Sequence, residues 1–374
     1  MGAGHGVTLD ACDPCLRRAF LIAHLAPRIA GLLGSGDRRA RGLLGLAEDD
    51  LIAAVAGRQV ERALSFLERL DTDAERERLA AGDFLVACLH SPRYPAHLHD
   101  LGDPPAVLFG LGRPDALASL TEEAVVTVVG TRRASSYGTE VAYALGRGLG
   151  ASGVPVVSGL ALGIDATAHR GCLDGGGVPI AVVACGPDVV YPRRHRSLHE
   201  RVCERGLVLS ELPPGSAPYR WSFPARNRIM AGLARMTLVV EEADPSGSLI
   251  TAEFAKDLGR CVAAVPGRIT SSTARGTNNL LKDGATPISG TEDVLDELFG
   301  VGVRSAPDMS EEPVVPLEPE LRAVLEAAES CDSVHEIALG TGRPVAEVRA
   351  ALGRLEADGY LARRELGGWE RRAG

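Results

Sequence analysis

Two short runs of β-branched residues, VVTVVG and VPVVSG, each end in a glycine-containing turn that opens a helical pattern. The first turn, GTRRASSYG, is small and hydroxylated and carries two adjacent arginines. Backbone N–H groups at the start of a helix and a guanidinium group can converge on one phosphate. The turn therefore predicts an anion-binding site; the alternative is a serine-capped turn whose arginines are merely solvated. The candidate contacts are Gly130, Thr131, Arg132, Arg133 and Ser135.

The same region lacks the signatures of the common nucleotide-binding loops. The spacing G-x-G-x-x-G is absent, and the second run ends at Gly159 without the acidic residue that would hold a ribose. No Gly-Lys-Ser/Thr follows the glycines, which excludes a P-loop. The sequence therefore predicts no cofactor. Gly159 remains a candidate contact of a phosphate-bearing polymer.

Four later turns, each following another apolar run, also carry amides, hydroxyls or guanidinium groups. The carboxyl ends of parallel strands meet at one edge of a sheet, so these turns are expected to lie side by side. Several anion-accepting turns along one edge suit a polyanion better than one small metabolite. The candidate residues in them are Arg193, Arg194, Phe223, Arg226, Asn227, Arg228, Ser246, Gly247, Ser248, Gly276 and Asn278.

Positive charge is concentrated in this region, although the whole chain carries a formal net charge of -9. Eight arginines and three glutamates lie between Arg193 and Arg228, as expected of a surface that contacts phosphates. Two aromatic residues, Trp221 and Phe223, interleave with these arginines. Phe223 could stack on a base of any type; alternatively, both rings anchor a long loop onto the sheet.

Alternating strand-like and helical patterns between Ala124 and Phe299 must position these turns. Apolar runs such as PIAVVACG and MTLVVEE are typical of strands that are buried on both faces. The pattern predicts an α/β fold with a doubly wound parallel sheet of about five to seven strands. The preceding segment, FLVACLHSPRYPAHLHDLGDPPAVLFGLG, contains two apolar strand-like runs around a proline-rich span and is expected to enter the sheet as an edge strand because of its prolines.

Both ends of the chain predict smaller domains. Residues 1–82 contain several short helical patterns without visible chemistry, and residues 83–300 form the α/β domain. An acidic linker, 301–316, precedes a domain at 317–374 whose helices and short β wing are typical of a winged helix. Its expected recognition helix, Val345–Asp358, carries a net negative charge, so a protein contact is as plausible as a DNA contact.

No catalytic residue is expected. Asp165 and His169 could pair as acid and base, but an N-cap and a packed histidine are the commoner roles at this spacing. No serine or cysteine in a nucleophile elbow accompanies them. The sequence therefore predicts a binding protein rather than an enzyme.

Metal binding and membrane insertion are not expected either. Cys12 and Cys15 form a lone C-x-x-C, without two further ligands at zinc-site spacing. His90, His97 and His99 are assigned to the surface or to packing. Most of the eight cysteines lie in apolar segments, which indicates reduced core residues. No apolar run is long enough to span a membrane, and a cytoplasmic location is expected.

Six ordered motifs between about Phe84 and Phe299 resemble the DNA-processing protein A family, also called DprA or Smf. They are VVGTRRASSYG, SGLALGIDATAH, VYPRRHRSLH, SFPARNRIMAGL, SGSLITAEFAKDLGR and PGRITSSTARGTNNLLKDGA. The resemblance implies an extended Rossmann-like domain that binds single-stranded DNA, and a homodimer. It also implies loading of RecA recombinase and displacement of single-strand-binding protein during natural transformation and recombination. The N-terminal extension would be sterile-alpha-motif-like or helix-hairpin-helix.

The family's DNA-contacting motifs can be carried over residue by residue. Arg193 stands where the family often has lysine, which preserves a phosphate contact but changes its geometry. The matching positions are Arg132, Arg193, Phe223, Arg226, Asn227, Arg228, Ser246, Gly247 and Ser248.

The main alternative is a related Rossmann-like enzyme that cleaves nucleoside monophosphates at the glycosidic bond. Such enzymes carry the motif P-G-G-x-G-T-x-x-E, whereas Pro245 to Glu253 of this chain reads PSGSLITAE. Glu253 thus lacks the surrounding cradle, and a shared fold does not imply a shared function. A transcription factor that acts through the winged helix is a third alternative, weakened by the acidic recognition helix.

Overall fold

The computed structural model describes residues 9–33, 39–121, 124–243, 247–306, 319–330, 333–357, 361–363 and 369–371. Contacts divide the chain into two units, Met1–Pro307 and Asp308–Gly374. Most of the linker expected at 301–316 lies outside the described residues. The first unit is organised around one large sheet.

Among the described residues, ten strands form this sheet. They are β1 (Leu9–Asp10), β2 (Leu85–Cys88), β3 (Val107–Gly112), β4 (Val126–Val129), β5 (Val156–Ser158), β6 (Pro179–Val182), β7 (Leu207–Ser210), β8 (Met236–Val239), β9 (Cys261–Ala264) and β10 (Thr286–Pro287). Their spatial order is β1-β2-β3-β7-β6-β5-β4-β8-β9-β10. Only β3 runs against the other strands of this sheet. The predicted doubly wound, mainly parallel sheet is confirmed, and two-residue strands at both edges widen it beyond the expected size.

The expectation that the segment from Phe84 to Gly112 enters the sheet as an edge strand is wrong. That segment supplies β2 and β3, which lie inside the sheet, and β1 covers the outer side of β2. Its prolines all fall in the connection between the two strands, at 92–105. Because proline removes a ladder hydrogen bond only where it stands, both strands keep their pairing.

Helices cover the sheet and follow most of its strands. In the first unit they are α1 (Asp13–Leu32), α2 (Arg39–Leu44), α3 (Glu48–Ala56), α4 (Val60–Arg69), α5 (Thr72–Ala81), α6 (Pro114–Ala118), α7 (Ser136–Ala151), α8 (Ile164–Asp174), α9 (Arg196–Arg205), α10 (Ser222–Leu233), α11 (Gly247–Asp257), α12 (Arg275–Lys282) and α13 (Thr291–Phe299). Among the described helices of the chain, none combines the length and apolar character needed to cross a membrane.

Both faces of the sheet are buried. Val126 and Val128 of β4 belong to one hydrophobic core, whereas Val129 belongs to the core on the other face. Helices α7 and α8 approach each other closely, since a Cβ on Gly146 would lie 2.3 Å from the carbonyl oxygen of Ala168. This contact brings the turns that open α7 and α8 next to each other at the carboxyl edge.

The winding of the sheet reverses between β4 and β8. From β4 the chain adds β5, β6 and β7 in one direction and then returns to place β8 on the other side of β4. In doubly wound sheets, ligands bind in the crevice outside the carboxyl ends of the strands at such a switch point. The fold therefore predicts a binding site between the turn after β4 and the start of α11.

The N-terminal helices pack against the loop before α10. Trp221 is 1% exposed and lies in a core with Leu25 and Leu51. Its indole N–H donates to the carbonyl oxygen of Ala26 at 3.1 Å. Trp221 thus anchors the loop, which is the alternative that the sequence analysis gave for both rings. The domain boundary expected near residue 82 stays a prediction.

The second unit contains α14 (Pro319–Ser330), α15 (Val334–Thr341) and α16 (Val345–Ala357), followed by the antiparallel strands β11 (Leu361–Arg363) and β12 (Trp369–Arg371). Leu325, Ile337 and Leu352 share its hydrophobic core. The winged-helix assignment, and any DNA contact by this unit, stay predictions.

Candidate nucleic-acid interface

A cleft of about 370 Å³ lies at the switch point of the sheet. Its walls include Gly130 and Arg132 after β4, Phe223 of α10, and Gly247 and Ser248 at the start of α11. We call this the switch-point cleft. A smaller depression shares Arg132 and Phe223 with it and extends the same surface toward β6.

The turn after β4 does not offer the free backbone N–H groups that were expected. The N–H of Thr131 donates to the carbonyl oxygen of Glu241 at 2.7 Å, and that of Arg133 donates to the Thr131 hydroxyl at 3.2 Å. The N–H of Ser135 donates to the Glu241 carboxylate at 2.8 Å. The expectation of a backbone phosphate cradle is therefore wrong for these three residues, because a carbonyl, a hydroxyl and a carboxylate of the protein already accept their N–H groups.

Glu241 lies at the N-terminus of α7, where the helix dipole favours a negative charge. It is 5% exposed, and its other carboxylate oxygen accepts from the Thr273 hydroxyl at 2.6 Å. Ser135 caps α7 by accepting the N–H of Gly138 at 3.1 Å. The turn is thus fixed from inside the protein, and the side chains of Arg132 and Arg133 are left exposed.

Arg132, Phe223 and Tyr191 form a cationic and aromatic cluster at the mouth of the cleft. The guanidinium carbon of Arg132 lies 5.3 Å from the centroid of the Phe223 ring. The Tyr191 ring lies 5.5 Å from the same centroid, tilted by 55°. Phe223 is half-buried and Tyr191 is exposed, so both rings combine a fixed position with an accessible surface.

Tyr191 was not among the predicted contact residues. Its neighbours Arg193 and Arg194 were, and the structure exposes both of them in a short turn just after it. The buried His195 fixes this turn through a hydrogen bond between its Nδ1 and the carbonyl oxygen of Leu160, at 3.0 Å. An aromatic residue directly before two predicted phosphate contacts was the signal that could have found Tyr191.

Arg226 lies in the floor of the cleft rather than on its surface. Its guanidinium donates to the carbonyl oxygens of Gly159, at 2.8 Å, and of Val182. Burial lowers the pKa of Arg226 to about 10, and the nearby Asp165 opposes that effect, so the guanidinium stays protonated at neutral pH. A Cβ on Gly159 would lie 2.4 Å from the guanidinium. Gly159 is therefore required for this contact, and an exposed phosphate contact by Arg226 is not what the structure provides.

Arg228 does not reach the cleft, so the expectation that it binds phosphate is wrong. It is 1% exposed and forms two hydrogen bonds with the Glu211 carboxylate, at 3.0 and 2.7 Å. Its Nε lies 3.1 Å from the Asp103 carboxylate. Burial alone would lower the pKa of Arg228, but the two carboxylates raise it above its usual value. The two carboxylates neutralise the charge of Arg228 inside the protein, and these contacts hold α10 against the sheet.

The remaining predicted residues mostly shape the cleft. Asn227 donates to the carbonyl oxygen of Gly247 at 3.0 Å, and the Ser248 hydroxyl donates to that of Gly130 at 2.8 Å. Both bonds position the exposed Gly247 beside the turn after β4. Ser246 lies outside the described residues.

Gly276 and Asn278 do not line the switch-point cleft, so a direct contact by them is not supported. The Asn278 side chain accepts a hydrogen bond from the N–H of Gly267 at 3.2 Å and donates one to the carbonyl oxygen of Gly267 at 3.1 Å. Gly276 donates its N–H to the carbonyl oxygen of Glu242, where a Cβ would lie 2.7 Å from the same oxygen. Both residues hold the loop between β9 and α12.

Asp165 and His169 are both buried, but the N-cap role expected for Asp165 is wrong, because α8 begins at Ile164 and Gly163 is its N-cap. Asp165 accepts the N–H of Gly159 at 3.1 Å, and burial lowers the pKa of the fully buried His169 to about 3. Glu253, which the alternative enzyme would require, lines a different depression beside β9 and α12. The catalytic alternative thus lacks its central residue at the switch point.

The expectation that Cys12 and Cys15 have no further metal ligands nearby is wrong. Because β1 pairs with β2, the start of α1 lies beside Cys88 and His90. Sequence spacing could not show this, since the two halves of the cluster are more than seventy residues apart.

A doubly wound sheet with a cationic and aromatic cleft at its switch point defines a Rossmann-like binding protein. The family model described as DNA recombination-mediator protein A matches residues 85–299, and the chain belongs to this family of DNA-processing proteins. The expectation of a non-enzymatic protein is confirmed by this membership.

Individual relatives agree with the family. The chain is 37% identical over 370 residues to a DNA processing protein DprA homologue of Mycobacterium tuberculosis, covering 95% of this chain and 90% of that protein. The structure of DNA processing protein A from Streptococcus pneumoniae aligns with a TM-score of 0.61 at 31% identity, covering 78% of this chain and 99% of that one. A structure that describes the single-stranded DNA binding mode of DNA processing protein A from Helicobacter pylori aligns with a TM-score of 0.51 at 30% identity. The alignment covers 57% of this chain and 95% of that one.

The buried position of Arg228 gives a stability prediction. Arg228→Met removes the buried cation that faces the Glu211 and Asp103 carboxylates, so we expect the free energy of unfolding to fall by about 3–5 kcal/mol in urea denaturation. The matched control, Arg193→Met, removes an exposed arginine and should change it by less than about 0.5 kcal/mol. An unchanged unfolding midpoint together with weaker DNA binding by Arg228→Met would contradict the structural role.

Proposed function

We propose that the switch-point cleft binds single-stranded DNA. The cluster of Arg132, Phe223 and Tyr191 carries this proposal, because it combines an exposed guanidinium with accessible aromatic rings. An unpaired strand presents both a charged backbone and open base faces, and proteins bind it with a positive groove and stacking platforms. A duplex hides its base faces, so the rings favour the single strand.

Exposed arginines supply the phosphate contacts in this proposal. Arg132 and Arg133 follow β4, and the exposed Arg193 and Arg194 come shortly after Tyr191, which lines the extension of the cleft. Gly247 adds the N-terminus of α11 as a place for one more phosphate. These groups read no base edges, so the binding should be independent of sequence and sensitive to salt.

The biological role follows from the family as a further part of the proposal. We infer that the protein acts in the cytoplasm as a homodimer that displaces single-strand-binding protein and loads RecA recombinase during natural transformation and homologous recombination. Membership in a recombination-mediator family supports this role. The single-stranded DNA binding mode of the Helicobacter pylori relative supports the strand as the shared ligand.

The salt dependence of binding tests the phosphate contacts. For oligo-dT, the logarithm of the association constant should fall against that of the salt concentration with a slope of about −0.7 for each phosphate contacted. Arg132→Ala should make this slope shallower by about 0.7, measured by fluorescence anisotropy. Arg113→Ala is the matched control, because this exposed arginine follows the antiparallel β3 and lies at the opposite edge of the sheet. Equal slopes for Arg132→Ala and the unmodified protein would refute the contact.

Stacking is tested by changing the ring without changing charge. Phe223→Ala should weaken oligo-dT binding by about 1–3 kcal/mol per stacked base, while the salt slope stays the same. Phe223→Trp keeps a π-face and should retain most of the affinity. If the Phe223→Ala variant binds oligo-dT as tightly as the unmodified protein at constant salt, Phe223 does not stack on a base.

A further inference from the structure

Four potential metal ligands converge where α1 begins beside β2. Cys12 precedes α1, Cys15 lies in its first turn, Cys88 ends β2, and His90 follows two residues later. Their ligand atoms all lie within 4.8 Å of one another. The Cys12 and Cys15 sulfurs are 3.4 and 3.3 Å from the His90 Nδ1, and the Cys88 and Cys12 sulfurs are 4.0 Å apart.

These separations fit the edges of a coordination tetrahedron. Zinc–sulfur bonds of about 2.3 Å and zinc–nitrogen bonds of about 2.0–2.1 Å give tetrahedron edges of roughly 3.8 Å between sulfurs and roughly 3.5 Å between sulfur and nitrogen. The geometry points to a zinc site: we propose that Cys12, Cys15, Cys88 and His90 bind one Zn²⁺ ion as a closed, structural Cys₃His centre.

The donor set selects this ion over the alternatives. Three thiolates and one imidazole suit a borderline-soft divalent cation and leave no open position for a substrate, which marks a structural rather than a catalytic site. A disulfide would use two of the three thiols and leave the others unexplained. It would also require the 4.0 Å between the Cys12 and Cys88 sulfurs to shrink to about 2.05 Å.

The segments that carry the ligands are already tied together by hydrogen bonds. Arg76 donates to the carbonyl oxygen of Ala11 at 2.9 Å, next to Cys12. The Ser91 hydroxyl, next to His90, donates to the Asp10 carboxylate. Outer contacts of this kind orient ligand segments around an ion.

The site would have a defined mechanical role. Among the described residues, strand β1 comprises Leu9 and Asp10, and its pairing of Asp10 with Ala87 places the cluster directly beyond the paired strands. Four metal bonds would fix the start of α1 to the sheet. Because α1 contributes Leu21 and Leu25 to the core of the N-terminal helices, the ion would position that whole group.

Metal analysis of the full-length protein tests the proposal. After expression in zinc-supplemented medium and purification without chelators, elemental analysis should find one zinc per chain. Cys88→Ser and His90→Ala should lose most of it, whereas Cys203→Ser, which changes a cysteine outside the cluster, should keep it. His90→Cys offers a fourth thiolate and should retain zinc, which separates ligand loss from misfolding.

Cobalt provides a second readout that does not depend on activity or DNA binding. Co²⁺ in place of zinc should give the intense visible absorption of a tetrahedral thiolate site in the unmodified protein and not in His90→Ala. Removal of the zinc with a chelator should lower the melting temperature, and added zinc should restore it. Absence of metal, a Cys12–Cys88 disulfide in a non-reducing peptide map, or full zinc content in His90→Ala would each overturn the proposal.

Discussion

The buried guanidinium of Arg226 fixes helix α10 to the carboxyl ends of two central strands. It donates to the carbonyl oxygen of Gly159, just after β5, and to that of Val182 in β6. Phe223 precedes Arg226 by three residues, so the two side chains share one face of the helix. The contact that buries the charge therefore also holds the aromatic ring at the mouth of the switch-point cleft. It depends on Gly159, since any side chain there would displace the guanidinium.

Charges in this region are divided between the interior and the surface. Glu241 occupies the N-terminus of α7, and Glu211 and Asp103 neutralise Arg228. Because these internal partners satisfy the groups that they contact, the charges left for a ligand are those of the exposed arginines around Phe223 and Tyr191. A surface built from exposed arginine side chains and packed aromatic rings suits a flexible polyanion, whose phosphates need no single geometry.

The sequence predicts the sheet well, because it depends on local patterns, and the same patterns predict a site at its carboxyl edge. Apolar runs followed by glycine-rich turns define parallel strands and their carboxyl edge. Patterns cannot show which arginines are exposed: Arg226 and Arg228 look like Arg132, and only partners from distant segments bury them. Glu241 is 106 residues from Ser135, and Cys12 is 78 residues from His90. Contacts of this kind exist only once the chain has folded.

The path of the DNA strand is the most direct test of the central claim, which is that an unpaired strand crosses the switch-point cleft. Oligo-dT with 5-iodouracil at single positions can be photocrosslinked to the full-length protein and the attached peptides identified by mass spectrometry. The structure predicts crosslinks to Phe223 and Tyr191 that excess unlabelled strand abolishes. Crosslinks found only in the second unit, or on helices far from the cleft such as α13, would contradict it.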